Sequence, residues 1–385
     1  MQVYLDNAAT TALDPEVFEA MKPYMLNHYG NPSSIHTHGR QARSAIEQAR
    51  KKVADLLNTS PAEIFFTSGG TEADNTAIKC TLQSGNFKQV ITSKIEHHAV
   101  LHTLQYLEKK ENISISYVDL DANGSINFDH LQELMASNSP ALVSLMQANN
   151  EIGNLTDIKR VGEICHEHQS IFHSDTVQAI AHYTHDLQEI DVHCIAGSAH
   201  KLHGPKGIGF LYIKADHKIG PFIHGGAQER NMRGGTENVS GIVGLAKAME
   251  IACQNMEAHH QYIQGLKTHM IQKLKLQIAD VQFNGLSDCP DGSLYTILNV
   301  SLPPADDNEM LLFNLDINGI SASGGSACTS GSNIGSHVLT ALGADPNRGS
   351  VRFSFSKFNT EEDVDYAVQK VTELFQGISD LRYKI

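Results

Sequence analysis

The sequence predicts an α/β protein in which a mainly parallel sheet of seven strands precedes a smaller α+β region. Seven short apolar runs lie between residues 60 and 215, and their length is typical of strands. Most of the intervals between the runs are long enough for a helix, and such crossovers join parallel strands. Polar residues directly follow five of the runs, which is where open parallel sheets collect ligands.

The seven candidate strands of this sheet span residues 63–67, 89–93, 113–118, 141–146, 171–173, 192–196 and 208–213. The interval before the last strand, residues 197–207, contains three glycines and a proline. It is too short for a helical crossover. We therefore expect the last strand to run antiparallel to the strand that precedes it in the chain.

A helical region follows at about 241–280, where Ile242, Leu245, Ala246 and Met249 repeat at the spacing of one helix face. Strands are then expected near 294–301 and 351–356, with a helix at 360–375. These elements predict a smaller α+β domain. We expect residues 14–255 to form the large domain, and residues 1–13 and 256–385 to form the small one.

Composition excludes several classes of protein. Hydrophobic residues make up 41% and charged residues 19%, which is typical of a globular protein. No apolar run reaches the roughly 18 residues of a membrane span, and the N-terminus lacks the pattern of an export signal, so we expect a cytoplasmic location without a membrane partner. The net charge of −14 argues against nucleic-acid binding.

Cysteine and histidine spacing gives no indication of a metal centre. The six cysteines are scattered without a C-x-x-C pair, which is typical of reduced thiols. The 21 histidines show neither H-E-x-x-H nor zinc-finger spacing. We therefore expect no metal site.

The polar residues after the strands are expected to converge, because the carboxyl ends of parallel strands meet at one edge of a sheet. They occupy residues 68–72, 95–97, 149–151, 174–178 and 198–201. Together they supply hydroxyls, an imidazole, amides, a carboxylate and an amine. Five such ends in one region predict a site.

One of these segments, 68–72, has the chemistry of a phosphate site, and another, 198–201, contains a candidate reactive amine. Gly70 and Thr71 open a helix directly after a strand, where free N–H groups favour an anion, although an ordinary capped turn has the same pattern. A lysine between two strands, such as Lys201, is commonly just a solvated surface charge. Its flanking residues Ser198 and His200, after a buried strand, favour a desolvated amine that forms a Schiff base.

Asp175 follows the strand before that of Lys201, 26 residues earlier in the chain. An aspartate at this position is often only a turn former or a helix cap. A pyridoxal ring, however, needs a carboxylate that keeps its pyridine nitrogen protonated, because the protonated ring accepts electrons. A Schiff-base lysine and such a carboxylate are the two groups that a pyridoxal 5'-phosphate cofactor would need.

Six motifs carry a resemblance to a known family. They are YLDNAATT at 4–11, TSGGTEADN at 67–75, NNEIG at 149–153, SAHKLHGPKGIG at 198–209, RGGTEN at 233–238 and SGGSACTS at 323–330. In this order the chain resembles the bacterial cysteine desulfurases of the iron–sulphur-cluster and nitrogenase type, which are class-V aminotransferases. The match extends from residue 4 to about 356, and six collinear motifs make it specific.

The resemblance implies pyridoxal-phosphate fold type I, the aspartate-aminotransferase-like fold, with one antiparallel strand among seven. It also implies conversion of L-cysteine to L-alanine with a persulfide on Cys328. The sulphur then passes to an acceptor protein, such as an iron–sulphur cluster scaffold or a component of a thiolation pathway. The family acts as a homodimer.

Individual site residues follow from the same resemblance. Lys201 would bind the cofactor covalently, Asp175 would pair with the pyridine nitrogen, and Gln178 would bind the ring hydroxyl. His97 would stack on the ring and act as an acid and base, and Cys328 would be the nucleophile.

In the family, one set of residues binds the cofactor phosphate and another binds the substrate carboxylate. The residues that would hold the phosphate are Gly70, Thr71, Ser198, His200 and, from the second subunit, Thr236. Asn150 and Arg352 would bind the substrate carboxylate, because a guanidinium binds a carboxylate through two hydrogen bonds. One departure is Ala227, where the family commonly has glycine.

Cys328 lies in a stretch of small and polar residues, 323–336, which predicts a mobile loop with an exposed thiol able to ionise. This setting favours sulphur transfer over amino transfer, since transamination needs no thiol. A selenocysteine lyase and another enzyme of fold type I are the alternatives. A non-catalytic scaffold is the alternative of another class, and the combination of lysine, aspartate, histidine and cysteine argues against it.

Overall fold

The computed structural model describes residues 1–85, 88–305, 308–324 and 335–382. Cys328 and most of the predicted loop 323–336 lie outside these ranges, so the predicted exposure of the thiol and mobility of the loop stay predictions. No described helix is both long enough and apolar enough to cross a membrane.

The first half of the chain alternates strands with helices. Its elements are β1 (Val3–Tyr4), α1 (Pro15–Leu26), α2 (Thr37–Leu56), β2 (Ile64–Thr67), α3 (Gly70–Ser84), β3 (Gln89–Thr92), α4 (His98–Glu111), β4 (Ser114–Tyr117), α5 (Phe128–Asn138), β5 (Leu142–Ser144), α6 (Ile158–Glu167), β6 (Ile171–Asp175), β7 (Cys194–Ser198) and β8 (Gly209–Ile213). The later elements are α7 (Val239–Gln254), α8 (Met256–Gln277), β9 (Gln282–Phe283), β10 (Ile297–Pro304), α9 (Leu311–Ile317), β11 (Ile320–Ser321), α10 (His337–Ala341), β12 (Arg348–Ser354) and α11 (Glu361–Arg382).

The central sheet contains the seven predicted strands in the order β2-β8-β7-β6-β5-β3-β4. β8 is antiparallel to both of its neighbours, β2 and β7, and the other pairs are parallel. The predicted sheet and its one antiparallel strand are therefore confirmed. Between β7 and β8 the chain forms only a short 3-10 turn, Ala199–Lys201.

Several predicted boundaries differ from the structure; for example, β7 spans Cys194–Ser198 instead of 192–196, and β10 spans Ile297–Pro304 instead of 294–301. β6 continues to Asp175, two residues beyond the predicted end, because its backbone stays in register with β7 as far as Ala196. Backbone pairing does not depend on side-chain polarity, so an apolar run ends before the strand does. The helical region expected at 241–280 is two helices, which meet at Asn255.

Helices cover both faces of the sheet. One face shares a core with α2, α5, α6 and α7, which includes Ile46, Met135, Val161, Phe172 and Leu245. The opposite face packs against α3 and α4. Residues alternate between the two faces along each strand, so Phe172 faces the first core while His173 and Asp175 face α3.

The second region is built on β10, which pairs antiparallel with β9 and β12. The N-terminal strand β1 pairs in parallel with β11, since Val3 lies opposite Ile320. Val3 and Leu5 share a buried core with residues of α8, β10, β12 and α11. The exact domain boundaries at 13 and 255 stay a prediction.

The strand ends bring backbone segments close together where polar side chains collect. Gly209, at the start of β8, has its Cα so near the turn after β2 that an added Cβ would lie 2.8 Å from the Cα of Gly69. Only glycine leaves room for this approach. β8 can therefore pack directly beside the turn at residues 67–70, which begins α3.

Candidate active site

A cavity of about 270 Å³ lies at this edge of the sheet. Ten of the predicted site residues line it: Gly70, Thr71, His97, Asn150, Asp175, Gln178, Ser198, His200, Lys201 and Arg352. They come from the turns after β2, β3 and β5, from the ends of β6 and β7, and from β12. The convergence expected from the strand ends is therefore observed.

Lys201 ends the short turn that follows β7, and its side chain is partly buried. Its Nζ donates to the backbone carbonyls of Ala8 and Ala9, the latter at 2.9 Å. Ala8 also accepts a hydrogen bond from Nε2 of Gln178 at 3.0 Å. The N-terminal segment thus fixes both the amine and the amide at the wall of the cavity.

Asp175 is 5% exposed, and its Oδ1 accepts a hydrogen bond from the backbone N–H of Val177 at 2.9 Å. Burial raises the pKa of Asp175 to about 6, although the Val177 N–H and the positive charge of Lys201 act in the opposite direction. A buried carboxylate with one described hydrogen-bond donor suits a protonated ring nitrogen.

The raised pKa of Asp175 predicts a pH-dependent stability of the cofactor-free protein. The folded state binds the proton more tightly than the unfolded chain, so this carboxyl costs stability as the pH rises from about 4 through about 6. The pKa rise from 3.8 to about 6 corresponds to at most about 3 kcal/mol. We expect Asp175→Asn to unfold at higher urea than the parent at pH 8.

The difference between the two proteins should shrink as the pH is lowered toward 4, where both side chains are neutral. Urea titrations of the cofactor-free proteins at several pH values measure it. An Asn variant that is less stable than the parent at pH 8 contradicts this interpretation of the buried carboxyl.

His97 caps the N-terminus of α4, and its Nδ1 accepts a hydrogen bond from the backbone N–H of Ala99 at 3.1 Å. In a neutral ring the hydrogen therefore sits on Nε2. Burial, followed by the charge of Lys201, lowers the pKa of His97 to about 4. The imidazole is consequently neutral at neutral pH and has an N–H to donate.

The start of α3 fits a phosphate group. Within the described residues no side chain caps this helix, so its first N–H groups remain available to an anion. A Cβ on Gly70 would lie 2.6 Å from Cγ2 of Val177, so glycine keeps the approach to these groups open. The hydroxyls of Thr71 and Ser198 line the same cavity.

Arg352 lies on β12 and is 1% exposed. Its Nη1 donates to the carbonyl of Asn150 at 2.8 Å, and its Nη2 donates to Oδ1 of Asp6 at 2.7 Å. Its Nε has no hydrogen-bond partner among the described residues. A buried guanidinium with donors to spare at a cavity wall fits a carboxylate ligand.

Thr236 does not line this cavity. It lines a separate cavity of about 200 Å³, together with Ser68 and Arg233. Arg233 makes two hydrogen bonds to the carboxylate of Glu72, at 2.9 and 3.2 Å, so the loop that contains Thr236 is attached to the start of α3. The described chain therefore does not bring Thr236 to the other predicted phosphate residues.

Two buried acids in or near the site have no assigned role in the sequence prediction, although Glu96 belongs to the predicted segment 95–97. Asp74 lines the cavity and is 1% exposed, and its Oδ1 lies 3.3 Å from Nε2 of His173. Burial, and then the nearby carboxylates Asp175 and Glu96, raise the pKa of Asp74. Burial raises the pKa of Glu96 to about 8. Asp74 shares the buried stripe of α3 with Ala73 and Ala77, and that spacing is visible in the sequence.

Comparison with known proteins identifies the family. The profile of the aminotransferase class-V family matches residues 3–367. The chain belongs to this family. Among class-V enzymes, the chain is 42% identical over 383 residues to a cysteine desulfurase IscS of Clostridium botulinum, covering 97% of this chain and 94% of that protein.

Solved structures of the family agree with this result. A NifS-like protein has a TM-score of 0.89 and 37% identity, with 98% of this chain and all of that chain (100%) covered. The protein SspA, in a complex with cysteine, has a TM-score of 0.79 and 32% identity over 93% of this chain and 100% of that one. The resemblance to class-V cysteine desulfurases is thus confirmed, and this family depends on pyridoxal phosphate. The amine, the carboxylate and the uncapped helix N-terminus in the cavity fit that cofactor.

Proposed function

We propose that the chain converts L-cysteine to L-alanine and retains the sulphur as a persulfide on Cys328. The convergence of Lys201, Asp175 and Arg352 on one cavity, in a chain of this family, supports the proposal most directly. Lys201 would hold pyridoxal phosphate covalently, Asp175 would face its ring nitrogen, and the start of α3 would bind its phosphate. When bound, the cofactor withdraws electrons from the substrate Cα.

The substrate is oriented through its carboxylate. Arg352 and Asn150 lie at the wall of the cavity, and the guanidinium offers N–H groups that the protein does not use. Two parallel hydrogen bonds to a carboxylate fix orientation as well as position. We assign to this pair the binding of the carboxylate of L-cysteine.

Two side chains act on the hydrogens of the substrate. The amine of Lys201 would take the proton from the substrate Cα. His97 is neutral and carries its hydrogen on Nε2, so in its resting form it would donate a hydrogen bond to the substrate and would not remove the thiol proton.

The sulphur step belongs to Cys328. Its thiolate attacks the substrate sulphur, the S–S bond forms, and the C–S bond breaks with its electron pair left on the carbon skeleton. The skeleton takes up protons and leaves as L-alanine. The persulfide then passes to an acceptor protein, for which we propose a partner in iron–sulphur cluster assembly or thiolation.

The other cysteines are poorly suited to this step. Cys80, Cys165 and Cys194 are buried in the described structure. Burial raises the pKa of Cys80 to about 11, and it raises the pKa of Cys165 and Cys194 further still. A thiol must ionise in order to attack. We also propose a cytoplasmic location, because scattered cysteines without a C-x-x-C pair are typical of reduced thiols.

Incubation of the holoenzyme with L-cysteine tests the proposed function. We expect equal amounts of L-alanine and of transferred sulphur, with the persulfide on Cys328 found by mass spectrometry of its peptide. A parallel reaction with L-selenocysteine separates a desulfurase from a selenocysteine lyase. Turnover of selenocysteine alone would overturn the assignment of the substrate.

We propose that the active form is a homodimer in which Thr236 reaches the phosphate of the partner subunit. The position of Thr236 away from its own cavity supports this arrangement. α1 and the segment after it expose large apolar side chains: Phe18 (43%), Met25 (55%), Leu26 (65%), Tyr29 (75%) and Ile35 (91%). An apolar patch of this kind is typical of an interface, and obligate interfaces bury upwards of about 2,000 Å².

A mixed dimer tests the role of Thr236. Thr236→Ala should weaken retention of pyridoxal phosphate by about 10- to 100-fold, the value of a hydrogen bond to a charged group. In a heterodimer of Thr236→Ala with Lys201→Ala subunits, one site would contain both an intact Lys201 and an intact Thr236. That heterodimer should therefore recover half of the tight cofactor sites.

Cofactor retention by the purified heterodimer, measured by ultrafiltration, gives the result. A heterodimer without any tight site would mean that Thr236 acts in its own subunit. Sedimentation of an active monomer would overturn the dimer itself.

A further inference from the structure

Two residues that the proposed mechanism does not use, Tyr295 and His182, form a chain of contacts that ends at the backbone of Lys201. The hydroxyl of Tyr295 lies 2.7 Å from Nδ1 of His182. The ring of His182 makes a second hydrogen bond, to the backbone of Lys201. The contacts therefore reach Lys201 at its main chain, whereas the carbonyls of Ala8 and Ala9 hold its amine.

The direction of both hydrogen bonds follows from the charge state of His182. Burial lowers the pKa of His182 to about 4, so the ring is neutral at neutral pH and carries one N–H. The bond to Lys201 acts on this pKa in the opposite direction, as an acceptor does, so the ring donates to the carbonyl oxygen of Lys201. We assign this N–H to Nε2, because Nδ1 faces the hydroxyl of Tyr295 and accepts from it. Burial also raises the pKa of Tyr295, which keeps the hydroxyl hydrogen in place.

The backbone before His182 has an unusual conformation. In the tight turn after β6, the N–H groups of Ala179 and Ile180 donate to the carbonyl of Thr176. Ala181 then has a φ of +59°, a left-handed conformation that is costly for a residue with a Cβ. Such a conformation persists only where the surrounding structure fixes it. The next residue, His182, has the two contacts that hold it.

Tyr295 belongs to the second region, two residues before β10. β10 pairs with β12, which contains Arg352. The ring of Tyr295 is 1% exposed and packs with its centroid 4.5 Å from that of His260 on α8, so the position of the ring does not depend on its hydroxyl. The hydroxyl thus joins the region that carries Arg352 to the segment that carries Lys201.

We propose that Tyr295 and His182 are positioning residues that fix the peptide of Lys201 for attachment of the cofactor and for proton removal. An amine that is joined to the cofactor has fewer hydrogens for Ala8 and Ala9, so the lysine side chain then depends more on its own backbone for its orientation. His182 holds that backbone, and Tyr295 selects the tautomer and orientation of His182. The inference deepens the proposed function and rests on the role proposed for Lys201.

Tyr295→Phe tests the proposal, because it removes the hydroxyl and keeps the packed ring. We expect pyridoxal phosphate to attach to the cofactor-free protein about fivefold more slowly than in the parent, the effect of about one hydrogen bond. Borohydride trapping at successive times, followed by mass spectrometry, measures the rate. In the holoenzyme, kcat for L-alanine release should fall by a similar factor. The KM for L-cysteine should stay within about twofold of the parent value, because the substitution does not remove a group that binds the substrate carboxylate.

Substitutions of His182 separate hydrogen bonding from packing. His182→Gln keeps one donor and one acceptor, so its attachment rate should stay within about twofold of the parent rate. His182→Phe keeps the ring but neither hydrogen bond, and it should be at least as slow as Tyr295→Phe. A purely steric role would make phenylalanine the better replacement. The double Phe variant should be no slower than His182→Phe alone, because both residues act through one chain of contacts.

Tyr366→Phe is the matched control. The hydroxyl of Tyr366 also donates to a backbone carbonyl, that of Asn318 at 2.9 Å, but Tyr366 does not line the cavity at Lys201. This variant should keep the parent rates of attachment and turnover. Far-UV circular dichroism verifies the fold of every variant.

A Tyr295→Phe protein that attaches the cofactor at the parent rate would overturn the proposal, and so would losses that add in the double variant. If His182→Phe does not fold, Tyr295→Phe and His182→Gln still decide the matter. Failure of the proposed function appears differently, as a parent protein that attaches pyridoxal phosphate at Lys201 but releases no L-alanine from L-cysteine. The attachment rates would test the positioning role in that event too.

Discussion

Lys201→Ala is expected to give a folded protein that neither attaches pyridoxal phosphate covalently nor releases L-alanine from L-cysteine. Two functions depend on the same amine: attachment of the cofactor and removal of the substrate Cα proton. The general-base function alone is worth about 10²- to 10⁴-fold in rate. We expect residual activity below about a thousandth of the parent rate, measured as L-alanine by chromatography.

Reduction with borohydride measures attachment of the cofactor by itself. It should trap the cofactor on the parent chain and leave the variant unlabelled in mass spectrometry. Lys206→Ala is the matched control. Lys206 lies in the same motif but is exposed, so its loss should leave both labelling and turnover unchanged. Turnover by Lys201→Ala at the parent rate would exclude this lysine as the catalytic amine.

The sequence predicted that the site residues converge, because most of them follow a recognisable strand. Asp175 and Lys201 lie at or just after the ends of β6 and β7. Adjacent parallel strands bring such residues to one edge whatever the exact register. Ten predicted residues therefore line one cavity, although the predicted end of β6 was two residues too early.

Other residues depend on distances that a sequence pattern does not contain. In the sequence, Asp74 is simply one polar residue of a predicted helix. Only the packing of α3 on β6 brings its Oδ1 to 3.3 Å from Nε2 of His173. Asp6 and Arg352 lie 346 residues apart in the chain, yet they form an ion pair of 2.7 Å. Contacts across two layers or between distant segments require the tertiary structure.

Thr236 shows a second reason why the sequence does not define the complete site. A single chain does not contain all of the proposed site. Its loop is attached to α3 of the same chain through Arg233 and Glu72, while Thr236 itself lines a neighbouring cavity. Motif resemblance alone assigned it to a partner subunit. The structure of a single chain supports that assignment in one respect: Thr236 lies outside the cavity at Lys201.

The Cys328→Ser variant is expected to bind pyridoxal phosphate and L-cysteine yet to form no persulfide. A serine hydroxyl has nearly the shape of the thiol, but it is a far weaker nucleophile toward sulphur at neutral pH. The residues proposed to bind the cofactor and the substrate carboxylate lie in other segments: at the start of α3, after β5, at or after the ends of β6 and β7, and on β12. The spectral change on addition of L-cysteine should therefore persist, while L-alanine release falls by at least about a thousandfold, as for loss of a catalytic nucleophile.

Cys289→Ser is the control for this prediction. Cys253 and Cys289 are the partly exposed cysteines among the described residues, and burial raises the pKa of the Cys253 thiol. Cys289 lies in the second region, after α8, and does not line the cavity at Lys201. Its replacement should leave the rate of L-alanine release unchanged. If Cys328→Ser desulfurates L-cysteine at the parent rate while Cys289→Ser does not, the nucleophile is Cys289, and the role inferred for the 323–330 motif is wrong.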